Sequence, residues 1–346
     1  MALLSETALI DRIFEHIDGK TTDVGDDMWR EPTENYRSEE WFDAEIALMR
    51  RLPVPFCPSA ALPEPGSYVA RTAAKTPILA VRGDDGVVRA FRNACRHRGM
   101  PVVEGEGCQR AFVCPYHAWT YGLDGQLKHI PGNDGFPNLN KATHGLAPVT
   151  AEERGGLVFI TQDAPLSGGA LEDMPDLIAP DQEMFNTLEF NDKANWKLFG
   201  ETFMEGYHIK ALHTKSFYPY GYDNLNIVET FGRNSRVVFP FRRIEKLRDK
   251  PRAEWRLQGL VTDVYQLFPN VQFVVFSHHV MLLILEPISV NETKSVIYQI
   301  SARPKDGEKI DIAEAKRDAG FVQDEGLVED REAACAIQVG AMHESG

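Results

Sequence analysis

Cysteine is scarce: five residues in a chain of 346 are too few for a disulfide scaffold, which predicts a reducing compartment and cytoplasmic localisation. No apolar run reaches the about 20 residues that a membrane-spanning helix needs. The nearest candidate, Val271 to Leu285, is broken by Ser277-His278-His279. No basic stretch precedes an apolar one after Met1, so no secretory signal is read. Cations are outnumbered, 37 Lys+Arg against 51 Asp+Glu for a net charge of −14, and a surface of that sign is a poor match for nucleic acid. There is no Gly-x-Gly-x-x-Gly fingerprint, so any nicotinamide or flavin must be bound by another protein. Repeats and low-complexity tracts are absent too. What is present is ordinary globular composition, 43% hydrophobic and 25% charged, with length enough for roughly two domains.

The chain changes texture twice. Residues 1–50 carry apolar side chains at helical spacing (Ile10, Ile13, Phe14, Ile17, then Phe42, Ile46, Met49) and predict an N-terminal helical arm. Residues 51–162 alternate short β-branched runs with turns, including Ser67 to Arg71, Pro77 to Arg82, Val87 to Phe91 and, at the end, Gly156 to Thr161. That pattern predicts a small antiparallel β domain, with Gly83-Asp84-Asp85-Gly86 as one hairpin turn. After a Pro/Ser/Gly stretch at 164 to 169, residues 163–346 predict a helix over Trp196 to Leu212. Strands are predicted at 235 to 244, 270 to 277, 279 to 288 and 294 to 302, and one or two helices from Asp311 to Val339. The fold class expected is α+β, with the C-terminal antiparallel sheet covered by helices.

Two groups of metal-binding residue types stand out. In the first, Cys95-Arg96-His97 is followed by Cys114-Pro115-Tyr116-His117, so each half offers one thiolate and one imidazole. Tetrahedral zinc accepts the same donors. A [2Fe–2S] cluster with two cysteines on one iron and two histidines on the other suits the mixed halves better. Cys57 and Cys335 read as small buried hydrophobes, and Cys108 matches neither ligand loop.

These residues, with Arg98-Gly99, Ala118-Trp119-Thr120-Tyr121 and Asp124-Gly125 around them, resemble the cluster loops of Rieske non-heme iron oxygenases, the alpha subunits of aromatic-ring-hydroxylating systems. Ala118 departs from the glycine more usual in the family, and a methyl group is expected to be tolerated there. Respiratory Rieske proteins tie their two loops with a disulfide. No cysteine pair is available for that here, which favours the lower-potential kind of cluster.

The second group follows in the order the family has it: Asn195-Trp196-Lys197, then Glu205-x-Tyr207-His208-x4-His213. Glu205 and His208 share a helix face. His208 and His213 would point about 140° apart on a regular α-helix, so the helix must end, bend or carry a π-bulge between them. The resemblance makes His208 and His213 ligands of a mononuclear Fe(II), with a carboxylate from a C-terminal helix completing a two-His, one-carboxylate site. The acidic tail offers Asp324, Glu325, Glu329, Asp330 and Glu332. Asp330 fits the family pattern best, with Asp324 second. Glu205 sits where the family has the carboxylate that bridges to a cluster histidine of a neighbouring subunit, and Thr202 replaces an asparagine usual near this site.

The resemblance implies a terminal oxygenase that takes O2 and a small organic substrate, with electrons from NAD(P)H through a ferredoxin or flavin reductase. It implies a homotrimer, with or without a small beta subunit. Hydroxylation or dihydroxylation of an aromatic substrate is the leading expectation. Oxidative O- or N-demethylation, quaternary ammonium compounds included, is the alternative, because the aromatic run Phe217 to Tyr222 would suit a ring or a cation equally. An electron-transfer protein lacking a working mononuclear site is a reading of another class. Arg89, Arg92, Arg96, Arg98, Arg110 and Lys128 crowd the cluster loops and predict a basic docking rim.

Overall fold

The computed structural model describes residues 3–166, 171, 173–304 and 309–343. The chain divides into two compact units, Glu45–Pro180 and the combination of Met1–Ala44 with Asp181–Gly346. The Pro/Ser/Gly stretch at 164 to 169 lies partly outside the described residues.

In the Glu45–Pro180 unit, seven antiparallel strands lie in the order Val54–Pro58, Leu157–Thr161, Pro148–Arg154, Val88–Arg92, Thr76–Arg82, Ser67–Ala73 and Gly105–Cys108. The predicted hairpin turn is there, with Gly86 N–H donating to the Gly83 carbonyl at 3.0 Å. Strand Gly105–Cys108 was not predicted, because a fully exposed Gly-Glu-Gly-Cys segment has no apolar alternation to read. A three-stranded sheet, Phe112–Val113, Thr120–Tyr121 and Leu127–His129, stands beside it. Leu79, Val81, Phe91, Phe112, Trp119, Tyr121 and Leu127 form one buried cluster, and Cys95 and Cys114 belong to it.

The other unit holds a second seven-stranded antiparallel sheet. Its order is Met184–Asp192, Glu292–Ser301, His279–Ser289, Val271–Val275, Val261–Leu267, Asn234–Pro240 and Ile227–Phe231. The three strands from Val271 to Ser301 are buried along most of their length, which is why Val271 to Leu285 is so apolar: it is two strands of a hairpin. Among the described residues no helix is long and apolar enough to cross a membrane. The arm supplies helix Glu6–Gly19, whose Ser5 hydroxyl caps Ala8 N–H at 3.3 Å. Leu9, Ile10, Ile13 and Phe14 of that helix pack against Ile227, Val238, Ile244 and Val261, each buried side chain contributing about 1.5–3 kcal/mol. Helix Ile312–Phe321 leads through a π-helical turn, Val322–Gly326, into helix Leu327–Met342.

Two sequence expectations are corrected. The helix predicted over Trp196 to Leu212 is broken into Trp196–Thr202 and Ile209–Leu212. Thr202 turns its hydroxyl back onto the Leu198 carbonyl at 2.8 Å. The backbone then runs so close to Asn226 that a Cβ on Gly206 would lie 2.5 Å from its Oδ1. The strand predicted over 235 to 244 stops at Pro240 and turns into a 3-10 helix, Arg242–Asp249.

Candidate functional site

The two loops predicted to hold the cluster are built alike. Cys95 N–H donates to Met100 O and Cys114 N–H to Trp119 O, at 2.8 and 2.9 Å. The Cys95 carbonyl accepts from Gly99 N–H and the Cys114 carbonyl from Ala118 N–H, at the same two distances. Gly99 and Ala118 close these turns with φ of 77° and 55°. That left-handed conformation explains why glycine is the easier residue at 118, since an alanine there costs on the order of 1 kcal/mol. The loops bring both thiols into the buried core beside each other, and bring the rings of His97 and His117 to a centroid distance of 4.6 Å. His97 stacks on Trp119, with centroids 5.0 Å apart and planes within 8°. Burial pushes the Cys114 thiol above its ordinary pKa, against the pull of the Tyr116 and His117 backbone N–H groups. Tyr121, fully buried, accepts from Arg96 N–H at 2.9 Å, and its hydroxyl lies 3.2 Å from Cys95 Sγ, within reach to donate to a thiolate there. Of the other cysteines, Cys57 is buried, Cys108 exposed and Cys335 half-buried.

The second group also converges. His208 and His213 bracket the short helix Ile209–Leu212, one at each end, and so avoid the opposed directions of a continuous helix. Together with Asp330 they place one donor atom each within 4.8 Å of the others. Asp330 Oδ1 lies 2.9 Å from His213 Nε2 and 3.6 Å from His208 Nε2. The far nitrogens of both rings face other carboxylates. Nδ1 of His213 meets Glu329 at 2.7 Å, and Nδ1 of His208 meets Glu205. Burial works against charge on His213, yet Asp330 and Glu329 outweigh it and raise its pKa. Glu329 is fixed in turn by the Ser216 hydroxyl at 2.6 Å. In the sequence Glu329 is one of the five acids offered as the iron's carboxylate, and the structure sets it instead on the far nitrogen of His213. Asp324 is exposed on the π-turn and is not brought to the histidines.

Asn195 ties the motif segments together. Its side chain caps Lys197 N–H at 3.1 Å and donates to Val290 O at 2.8 Å, while its backbone N–H reaches Gln338 Oε1, also at 2.8 Å. The helix that presents Asp330 is thereby held against the start of the segment that presents the histidines.

A cavity of about 480 Å³ opens over His208, His213 and Asp330. Phe217, Tyr220 and Tyr222 of the aromatic run line it, as do Phe241, Phe276 and Phe321. His279 is buried at 1% exposure and bonded to Asp318, which lines the cavity.

Paired Cys/His loops in one unit and a two-His, one-carboxylate cluster in the other are the donor sets of a [2Fe–2S] cluster and of a mononuclear iron. Residues 53–141 match the Rieske [2Fe-2S] domain model, and residues 184–346 match that of the ring hydroxylating alpha subunit catalytic domain. The chain belongs to the Rieske non-heme iron oxygenases, as an alpha-type subunit. It is 38% identical over 160 residues to the glycine betaine monooxygenase oxygenase subunit of Chromohalobacter salexigens, covering 44% of this chain and 36% of that one. It is 30% identical over 200 residues to the carnitine monooxygenase oxygenase subunit of Acinetobacter baumannii, covering 54% and 53%. The alignments thus span between about a third and about half of these relatives. Among solved structures, the quaternary ammonium Rieske monooxygenase CntA in complex with L-carnitine shares the fold at a TM-score of 0.76, with 22% identity over 91% of this chain and 86% of that one.

The family brings a [2Fe–2S] cluster and a mononuclear iron, and the residues fit both. The two buried thiols form no disulfide, and His97 Nδ1 is buried with no hydrogen-bond partner among the described residues, as a nitrogen kept free for a metal would be. A hydrogen bond to a ligating sulfur stabilises the reduced cluster. Tyr121→Phe is therefore expected to lower the midpoint potential by roughly 40 mV, the equivalent of about 1 kcal/mol. A redox titration followed by the visible spectrum measures it.

Proposed function

We propose that this protein is the terminal oxygenase of a multicomponent system that oxidises a small quaternary ammonium compound at a carbon bound to nitrogen. Cys95, His97, Cys114 and His117 would hold the cluster, and His208, His213 and Asp330 the Fe(II). The cluster domain would span about 51–162 and the catalytic domain 163–346, with the 1–50 arm ahead of them. Bound there, the two groups supply single electrons and activate O2. The chain's own residues do the rest. Glu329 and Glu205 accept the Nδ1 protons of His213 and His208, so that each Nε2 is presented to the metal. The aromatic wall excludes water and receives the substrate. For an N-methyl group, one oxygen atom enters a C–H bond. The other leaves as water with two electrons and two protons, and loss of the new hydroxyl's proton with C–N cleavage then releases formaldehyde and the tertiary amine.

The observation that carries this reading is the aromatic cavity over the His208–His213–Asp330 cluster. Aromatic faces attract a quaternary ammonium by cation–π contact. The relatives named for glycine betaine and carnitine favour it over the aromatic-ring hydroxylation that leads among the sequence expectations. The convergence of the second centre speaks against a protein confined to electron transfer.

Electrons would come from NAD(P)H through a reductase or ferredoxin. Of the basic residues near the cluster loops, Arg89 pairs with Asp85, Arg92 with Asp163 and Lys128 with Asp124. Arg96, Arg98 and Arg110 are exposed, with no ion pair among the described residues, and remain to attract an acidic donor. The exposed position of Glu205 beside His208 suits the bridging role that the family's trimer gives its carboxylate.

The test is product analysis with a reducing system and a panel of glycine betaine, carnitine, choline, aromatic acids and methyl ethers. Oxidation of a quaternary ammonium compound, seen as formaldehyde or trimethylamine, is expected. Hydroxylation of aromatic acids alone would return the assignment to ring oxidation.

A further inference from the structure

Five charged side chains line the cavity: Glu205, Asp330, Asp318, Arg242 and Arg243. Glu205 and Asp330 face the histidines of the candidate iron site. Arg243 is turned aside, donating to Gly259 O and Ser277 Oγ, both at 2.7 Å, and Arg242 lies over the rings of Tyr218 and Tyr222. Asp318 is left.

Asp318 stands on helix Ile312–Phe321 and is held by one oxygen only. Its Oδ2 accepts from His278 N–H at 3.0 Å and from His279 Nδ1 at 2.8 Å. His279 is itself fixed, buried at 1% exposure and stacked on Phe276 with centroids 4.6 Å apart. Although burial works to raise the Asp318 pKa, these bonds prevail and hold it below the usual carboxylate range. Oδ1 accepts no hydrogen bond among the described residues, and no arginine or lysine pairs with the group. The side chain is 21% exposed and its one ionisable hydrogen-bond partner among the described residues is His279, so a cation entering the cavity would find Oδ1 uncommitted. Phe276, stacked on His279, and Phe321, three residues further along the helix that carries Asp318, line the same cavity.

We infer that Asp318 is the counter-anion that receives the cationic head of the substrate, with Phe276 and Phe321 supplying the faces on either side. A carboxylate between aromatic rings selects a quaternary ammonium, which needs charge and surface but donates no hydrogen bond. The inference deepens the reading given under Proposed function and rests on it.

Calorimetric binding to the purified holoenzyme tests it with two ligands of one shape: glycine betaine and 3,3-dimethylbutanoate, in which carbon replaces the charged nitrogen. The wild type is expected to prefer betaine by about tenfold or more, and Asp318→Asn to remove that preference by weakening betaine alone. Iron content and cluster absorbance, read on the same samples, should not change. Equal weakening of both ligands, or of neither, overturns the anchor. So does a wild type indifferent to the charge, which settles the matter even if the variant fails to fold. Turnover separates the two readings. Betaine bound through Asp318 but never oxidised sinks the proposed substrate and leaves the anchor standing. Betaine oxidised with an unchanged KM in Asp318→Asn does the reverse.

Discussion

Asp330→Ala is expected to empty the mononuclear site while leaving the visible spectrum of the cluster as it was. Two imidazoles remain in that variant, and two neutral ligands hold Fe(II) far more weakly than a facial triad does. Iron per chain should fall from about three to about two, and substrate oxidation should cease. Glu329→Gln should sit between the wild type and this loss. It keeps all three donors but removes the carboxylate that aligns His213, a change that typically weakens metal binding about 10–100-fold. Asp324→Ala serves as the control, since its side chain is exposed on the π-turn, and it should retain full iron. Iron analysis after equilibrium dialysis reads all three, and full iron in Asp330→Ala would remove Asp330 from the site.

The second large effect is expected at the cluster loops. Cys114→Ala should abolish the cluster chromophore and lower the melting temperature of the Glu45–Pro180 unit, because Cys95 and Cys114 sit in its hydrophobic core and cannot be parted from the metal without disturbing that core. Losing the metal links between the two loops should cost several kcal/mol, on the order of ten degrees in a domain of this size. Cys108→Ala should change neither spectrum nor melting, its thiol being exposed. Metal analysis of the wild type decides between iron and zinc, and a colourless zinc protein would discard the cluster.

How far all this is visible in the sequence depends on the distance over which each feature acts. Cys95 to His97 and Cys114 to His117 are local patterns of unusual composition, and they could be read directly. So could His208 and His213, but not the path between them. The break after Thr202 is set by the close approach at Gly206 to Asn226, which no helical periodicity reveals. The tail offered several acids with equal sequence claims by ligand chemistry alone, and only the family pattern preferred Asp330. The pairing of Glu329 with His213, or of His279 with Asp318, joins residues far apart along the chain, beyond the reach of local reading. Strands such as Met184–Asp192 and Val261–Leu267 escaped because their burial alternates irregularly along the strand. The substrate expectation leaned toward aromatic rings with the family resemblance, and the residues alone could not correct it, because an aromatic wall is equally congenial to a ring and to a soft cation and the sequence does not show which charge stands in that wall.

The π-turn at Val322–Gly326 has a consequence for how the cavity is composed. On an unbroken α-helix, residues 318 and 330 would point about 120° apart, because twelve steps of about 100° overshoot three full circles. The wider turn absorbs one residue, which leaves eleven effective steps and a divergence of only about 20°. Asp318 and Asp330, both in the cavity lining, thus share one meridian of a single rod, one carboxylate turned to the candidate metal and the other to the candidate cation. Winding that turn as regular α-helix at unchanged length would spare both flanking helices and both acids, yet swing the two charges about 120° apart, whereas deleting its extra residue would leave eleven regular steps and keep them aligned. The separation between the oxidised atom and the held charge is in this sense a matter of helical phase, set by how one turn is wound where no ligand is touched.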